Sequence, residues 1–164
     1  MAVSITTEIQ RDFRIEAPLG KVFDILADVP SSATYFPKLE QLSDLGNNSY
    51  RWALKRIGVD KHSLQTVYAC RYISDRSAGT VRWEPLEEPA TGDDNSLVKG
   101  QWTLEEERDG AGNEGTRCRF SNTGTITLPL PGIMKLAASP LVKHEFNTLI
   151  DDYIENLQQG IPSS

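Results

Sequence analysis

Polar side chains that interrupt an apolar face are where a sequence can do chemistry, and this chain offers few. Arg11 shares a parity with Ile5, Ile9, Phe13 and Ile15, in a run that alternates with Thr6, Glu8, Gln10, Asp12 and Arg14. A guanidinium there either snorkels out at a strand end or anchors a polar group inside an enclosed space. Asn122 breaks the series Cys118, Phe120, Gly124 and Ile126 in the same way. Its amide either satisfies backbone at a bulge beside Gly124 or points its hydrogen-bonding atoms inward. Tyr68 adds a phenol within a strand-like run. Acid–base catalysis needs at least one positioned acid or base, and neither histidine is placed for it: His144 falls on the polar face of a helix and His62 near a turn. No Ser, His and acid constellation suits a hydrolase, and two separated histidines without clustered acids do not make a metal site. The sequence therefore calls for no cofactor and no metal.

Other chemistry-bearing stretches read as structure. Cys70 and Cys118 both sit in strand-like runs, so they are expected as buried free thiols in a reducing compartment. The acids Glu87, Glu88, Asp93 and Asp94 fall in the loop Leu86 to Ser96, but without the spacing and helical flanks of a Ca²⁺ loop, and read as solvated. Glycines between Asp109 and Gly115 are not followed by a helix opening with Lys-Ser or Lys-Thr, so they form a hairpin loop rather than a phosphate cradle.

The elements that must position these residues are mostly strands. Ile5 to Ile15, Leu42 to Leu45, Tyr50 to Leu54, His62 to Ser74, Thr80 to Pro85, Leu97 to Arg108 and Cys118 to Leu128 show period-two alternation or residues that fit a pleated surface. Gly46-Asn47-Asn48 marks a hairpin turn and 56–61 the next one. Two short helices follow the first strand: one on Leu19, Val22, Phe23 and Leu26, and a second capped by Ser31 or Ser32, with Tyr35 and Phe36 just before Pro37. From Val142 the apolar residues Phe146, Leu149, Ile150, Tyr153 and Leu157 form one stripe opposite His144, Thr148, Asp151 and Glu155. With Ser139-Pro140 as start and Gly160 as stop, this predicts a final helix of about 19 residues, roughly 28 Å long. An amphipathic rod of that kind needs an apolar surface, and a curved sheet laid around it provides one.

The totals limit the partners. A net charge of −6 and a pI near 4.9 in 164 residues exclude a general nucleic-acid binder and an anionic-membrane binder, which need clustered Lys and Arg. One domain, 1–164, is expected. No basic leader precedes an apolar run and no stretch is long enough to span a bilayer, so the expected location is the cytoplasm, without stable membrane insertion. The oligomeric state is left open.

The run Ile15-Glu-Ala-Pro-Leu-Gly-Lys-Val-Phe-Asp-Ile-Leu-Ala-Asp-Val29 and the later Tyr35-Phe-Pro-Lys-Leu39 resemble the START and birch-pollen-allergen superfamily, in its polyketide cyclase and lipid-transport branch. Gly115-Thr116-Arg117 and the ending Ile154-Glu-Asn-Leu157 look like the same group, and the likeness spans nearly the whole chain. The resemblance implies an α+β helix-grip fold: a curved antiparallel sheet of about seven strands wrapped around a long C-terminal helix, with two short helices after strand one. It also implies an apolar cavity between sheet and helix. Trp52, Tyr68, Trp83, Trp102, Phe120 and Phe146 are the expected walls, with Asn122 and Arg11 as polar anchors and Met134, in the apolar connection Leu128 to Leu136, as an adaptable lip. The implied role is binding or carriage of a hydrophobic small molecule such as a lipid, isoprenoid quinone or polyketide. Two alternatives stay open: an enzyme that cyclises or dehydrates a poly-β-ketone, and an interaction module that uses Leu128 to Leu136.

Overall fold

A computed structural model describes residues 3–56, 65–86 and 94–162. Strand β1 (Val3–Ile15) is followed by helices α1 (Leu19–Ala27) and α2 (Val29–Ala33). Six strands come next: β2 (Leu39–Gly46), β3 (Ser49–Leu54), β4 (Val67–Asp75), β5 (Thr80–Pro85), β6 (Ser96–Arg108) and β7 (Glu114–Leu128). A 3-10 turn at Gly132–Met134 leads into helix α3 (Lys135–Gly160). The strands form one antiparallel sheet in the order β1-β7-β6-β5-β4-β3-β2, so the two ends of the strand series meet where β1 pairs with β7. This is the helix-grip arrangement. The turn expected at 56–61, the start of a strand at His62 and most of the acidic loop (87–93) lie outside the described residues.

Period-two patterning produces the sheet's two faces. In β1, Val3, Ile5, Thr7 and Ile9 are buried while Ser4, Thr6, Glu8 and Gln10 are exposed. β7 buries Cys118, Phe120, Ile126 and Leu128 on the same side. Against this side α3 lays Val142, Leu149, Ile150, Tyr153, Ile154 and Leu157; full burial of a side chain of this size stabilises by about 1.5–3 kcal/mol. Polar ties fix the helix in register: Asn156 donates to the Tyr35 carbonyl at 2.9 Å, Gln158 to the Arg14 carbonyl at 3.0 Å, and Lys38 to Glu145 at 2.8 Å. The β2–β3 turn takes positive φ at Gly46, Asn47 and Asn48 (82°, 52° and 61°), which is why glycine and asparagine occupy it.

The Gly115-Thr116 pair has a physical reason. A Cβ on Gly115 would lie 2.4 Å from the Arg14 guanidinium carbon, and the fully buried Thr116 hydroxyl donates to the Ala17 carbonyl at 2.8 Å. Cys70 and Cys118 are free and buried, and burial pushes both thiols up to about 12.

Two helix boundaries differ from expectation. α2 begins at Val29 rather than after a serine cap, because Pro30 fits a first helical turn; Ser31 instead donates to Asp28 at 2.6 Å, and Tyr35 and Phe36 lie beyond the helix end. α3 has 26 residues and carries Pro140 inside it, so Ser139 is not its cap. The proline removes one backbone bond, to the carbonyl of Leu136, on a solvent-facing turn where water can take its place.

Candidate ligand-binding site

Nine aromatic rings line the space between sheet and helix, and eight of them touch in sequence. Tyr68 on β4 stacks on Trp52 of β3, with centroids 6.0 Å apart and planes within 10°. Trp52 meets Phe36, after α2, at 5.4 Å, and Phe36 meets Tyr153 of α3 at 5.1 Å. Tyr153 reaches Trp102 of β6 at 6.2 Å, and Trp102 reaches Phe120 of β7 at 4.8 Å. From Phe120 the belt returns through Trp83 of β5 at 5.7 Å to Tyr72 of β4 at 6.0 Å. All three tryptophans of the chain are in it. The belt surrounds a cavity of about 90 Å³. Pockets that hold drug-sized ligands run from about 300 to 1,000 Å³, so the aromatic walls stand close together here.

The polar groups on this wall are few and uncharged. Trp83 Nε1 donates to Asn122 Oδ1 at 2.8 Å. The Ser32 and Tyr153 hydroxyls are hydrogen-bonded to each other. Thr7, Thr66 and Ser96 add hydroxyls. Burial pushes the Tyr68 and Tyr72 phenols well above their usual range. It pushes Tyr153 up to about 12, against the lowering effect of hydrogen bonds from Ser32 and Trp102. No Asp, Glu, Lys, Arg or His is among the described residues lining the cavity.

Of the residues singled out in the sequence, Trp52, Tyr68, Trp83, Trp102, Phe120, Asn122 and Phe146 come together on this wall. Asn122 is not at a bulge: its pairings with β1 and β6 run through it without a shift, and its amide faces the cavity. Arg11 is not in the lining. Its guanidinium crosses from β1 to α3, with Nε 2.7 Å from Asp151 Oδ1 and Nη2 donating to Asn147 Oδ1 at 2.8 Å. The carboxylate and amide there satisfy it outside the cavity. Met134 is likewise absent from the lining and half-exposed, in a segment where Ile133 and Leu136 are 87% and 88% exposed. Thr7, Ser32, Phe36, Tyr72 and Tyr153 belong to the wall but had not been assigned to it. Parity held the signal for two of them, since Thr7 alternates in step with Ile5 and Ile9, and Tyr72 with Tyr68.

No protein-family model matches the sequence, and no curated protein matches it. Solved structures do. A START superfamily protein from Mycobacterium smegmatis superposes with a TM-score of 0.62 at 13% identity, covering 94% of this chain and 96% of that one. Zhui aromatase/cyclase from a Streptomyces species gives 0.57 at 16% identity, over 95% and 91%. The di-domain aromatase/cyclase StfQ of the steffimycin biosynthetic pathway gives 0.58 at 10% identity, over 96% of this chain and 51% of that one. The fold is thus the START-like helix grip, shared with these aromatase/cyclases. At these identities the likeness is one of architecture, and what the cavity does has to be argued from its own side chains.

Proposed function

We propose that this protein binds and carries a hydrophobic small molecule, of lipid, isoprenoid quinone or polyketide-like kind, between the sheet and α3. The observation that carries the reading is the wall's composition: a belt of aromatic rings with hydroxyls and one amide, and no described lining residue that is charged at neutral pH. An anionic or cationic guest would give up its hydration there without a counter-charge. A neutral apolar guest gains about 25 cal/mol for each Å² it hides from water. Trp52, Tyr68, Trp83, Trp102, Phe120, Asn122 and Phe146 are the proposed contacts. The 164 residues act as one binding domain, with walls drawn from β1 through to α3. A cytoplasmic location is supported by the two unpaired, buried thiols.

The likeness to aromatase/cyclases supports a second reading, closure or dehydration of a poly-β-ketone in the same space. Against it stand the phenols of Tyr68, Tyr72 and Tyr153. They are the titratable groups among the described lining residues, and burial keeps them protonated, so at neutral pH they offer hydrogen bonds but no general base.

Purified protein extracted with organic solvent is expected to release an uncharged amphiphile detectable by mass spectrometry, and tryptophan fluorescence is expected to change as such compounds are added. Empty extracts, together with unaltered emission against a panel of quinones, lipids and aromatic ketones, would overturn the binding reading.

A further inference from the structure

Buried polar atoms nearly always have a partner, so the exceptions carry information. Among the described residues, two buried side-chain atoms have none: Trp52 Nε1 and Thr7 Oγ1. Both residues line the cavity, at 6% and 5% exposure. Indole N–H is a donor only, so what Trp52 lacks is an acceptor. It feels the Tyr72 hydroxyl but closes no hydrogen bond of ordinary geometry with it. Asn122 points the same way. Because Trp83 Nε1 can only donate, the Asn122 atom facing it must be the oxygen, which leaves the amide NH₂ as the group Asn122 can offer a guest. The unspent hydrogen-bonding capacity of this wall is therefore mainly donor capacity, set in an uncharged, ring-lined space.

We propose that the cavity selects a neutral, flat molecule carrying carbonyl acceptors at opposite edges of a ring. This rests on the binding reading above and narrows it. Thr7 stands on β1, at one end of the strand order, and Trp52 on β3, next to the other end, so their donors belong to different walls. One acceptor edge cannot serve both walls as well as two can. Quinones and fused-ring diketones share this chemistry. An aliphatic alcohol or a plain hydrocarbon does not, since the first brings a single polar atom that can serve one wall and the second leaves Trp52 and Thr7 unpaired.

The test compares 2,3-dimethyl-1,4-naphthoquinone with 2,3-dimethylnaphthalene, molecules of like shape that differ in the two carbonyls. Dissociation constants are measured by tryptophan quenching and checked by calorimetry. The diketone is expected to bind at least tenfold more tightly. Trp52→Phe keeps a ring and removes the donor, and should erase most of the preference, read as the ratio of the two dissociation constants within the variant. Thr7→Val tests the other wall independently and serves if Trp52→Phe does not fold. Equal affinities for the two probes, or a preference that survives both substitutions, would overturn the selection and leave the binding reading standing. Failure of both probes to bind, together with an empty extract, would remove the binding reading itself. Stronger binding of a prenylated benzoquinone than of anthraquinone would assign the carbonyls to a quinone headgroup, and the reverse order to a fused-ring ketone.

Discussion

Gly100 lies on β6 between Trp83 of β5 and Asn122 of β7, its two cross-strand partners. A Cβ built on it would lie 2.3 Å from the Ser121 carbonyl oxygen and 2.5 and 2.7 Å from ring atoms of Trp83. The missing side chain is thus what lets the Trp83 indole lie across the strand and donate to Asn122. Gly100→Ala must move the ring, the backbone, or both. Overpacking of this kind costs about 1–3 kcal/mol. Loss of the Trp83–Asn122 hydrogen bond adds about 0.5–1.5 kcal/mol. The upper half of the combined range is expected, about 3–4.5 kcal/mol, because one of the atoms in the way is backbone and cannot rotate aside. For a chain of this length each kcal/mol shifts the melting temperature by about 2–4 °C, so a fall of about 6–18 °C is expected by circular dichroism or calorimetry. Gly110→Ala is the matched control: nothing lies within 4 Å of its Cβ, and its effect should stay within about 1 kcal/mol of neutral. If Gly100→Ala melts within about 2 °C of the parent, the packing account of the Trp83 wall is wrong.

Three further outcomes follow from the charges. The described lining has no group that titrates between about pH 5 and 9, so ligand affinity should be flat across that range; a sigmoid or bell with a midpoint between about 6 and 8 would place a working base in the site and favour the cyclase reading. Stability should instead fall on the alkaline side. Unfolded thiols ionise near 9 and phenols near 10, while the folded Cys70, Cys118 and Tyr153 hold their protons up to about 12, so the unfolded chain releases protons first and gains. The two thiols together should cost about 3 kcal/mol by pH 10, read from urea midpoints between pH 7 and 10.5, and constant midpoints over that range would refute their burial. Arg11 and Asp151 form a pair whose side chains are 31% and 57% exposed, and a double-mutant cycle should give a coupling of only about 0.2–1 kcal/mol, with ligand affinity unchanged in Arg11→Ala. A tenfold loss of affinity in that variant would return Arg11 to the binding site.

Alternation made the sheet legible because a strand with one wet face must repeat every two residues, and β1, β6 and β7 do so along most of their length. The length of α3 was not legible. Its apolar stripe begins at Val142, Pro140 looks like a beginning, and the turns before it expose Ile133, Leu136 and Leu141 rather than burying them. Side-chain pairing was legible only where neighbouring residues suffice. Arg11 finds its acid 140 positions away on another element, and no local pattern announces that. The Asn122 amide was visible as an oddity, but its partner Trp83 emerges only through the register of β5 on β6 and of β6 on β7. Parity places Thr7 on the inward face, but a threonine in a strand is ordinary by propensity, and its missing partner is what sets it apart from its neighbours.

The narrowness of the cavity bears on which guest it suits. At about 90 Å³ it cannot admit a multi-ring molecule without displacing some of the rings that now touch. Each such ring pair contributes about 0.5–1.5 kcal/mol beyond the area it buries. A flat aromatic or quinonoid guest that slides between two of them replaces each ring–ring contact with a ring–guest contact of the same kind, so the exchange is close to even. Burial of the guest's own faces and the pairing of the Trp52 and Thr7 donors then remain as net gain. An acyl chain would break the same contacts and return only its burial, with both donors still unsatisfied. On the proposed reading, the belt would therefore discriminate by shape and by acceptor together, and the closeness of its rings would be part of that discrimination.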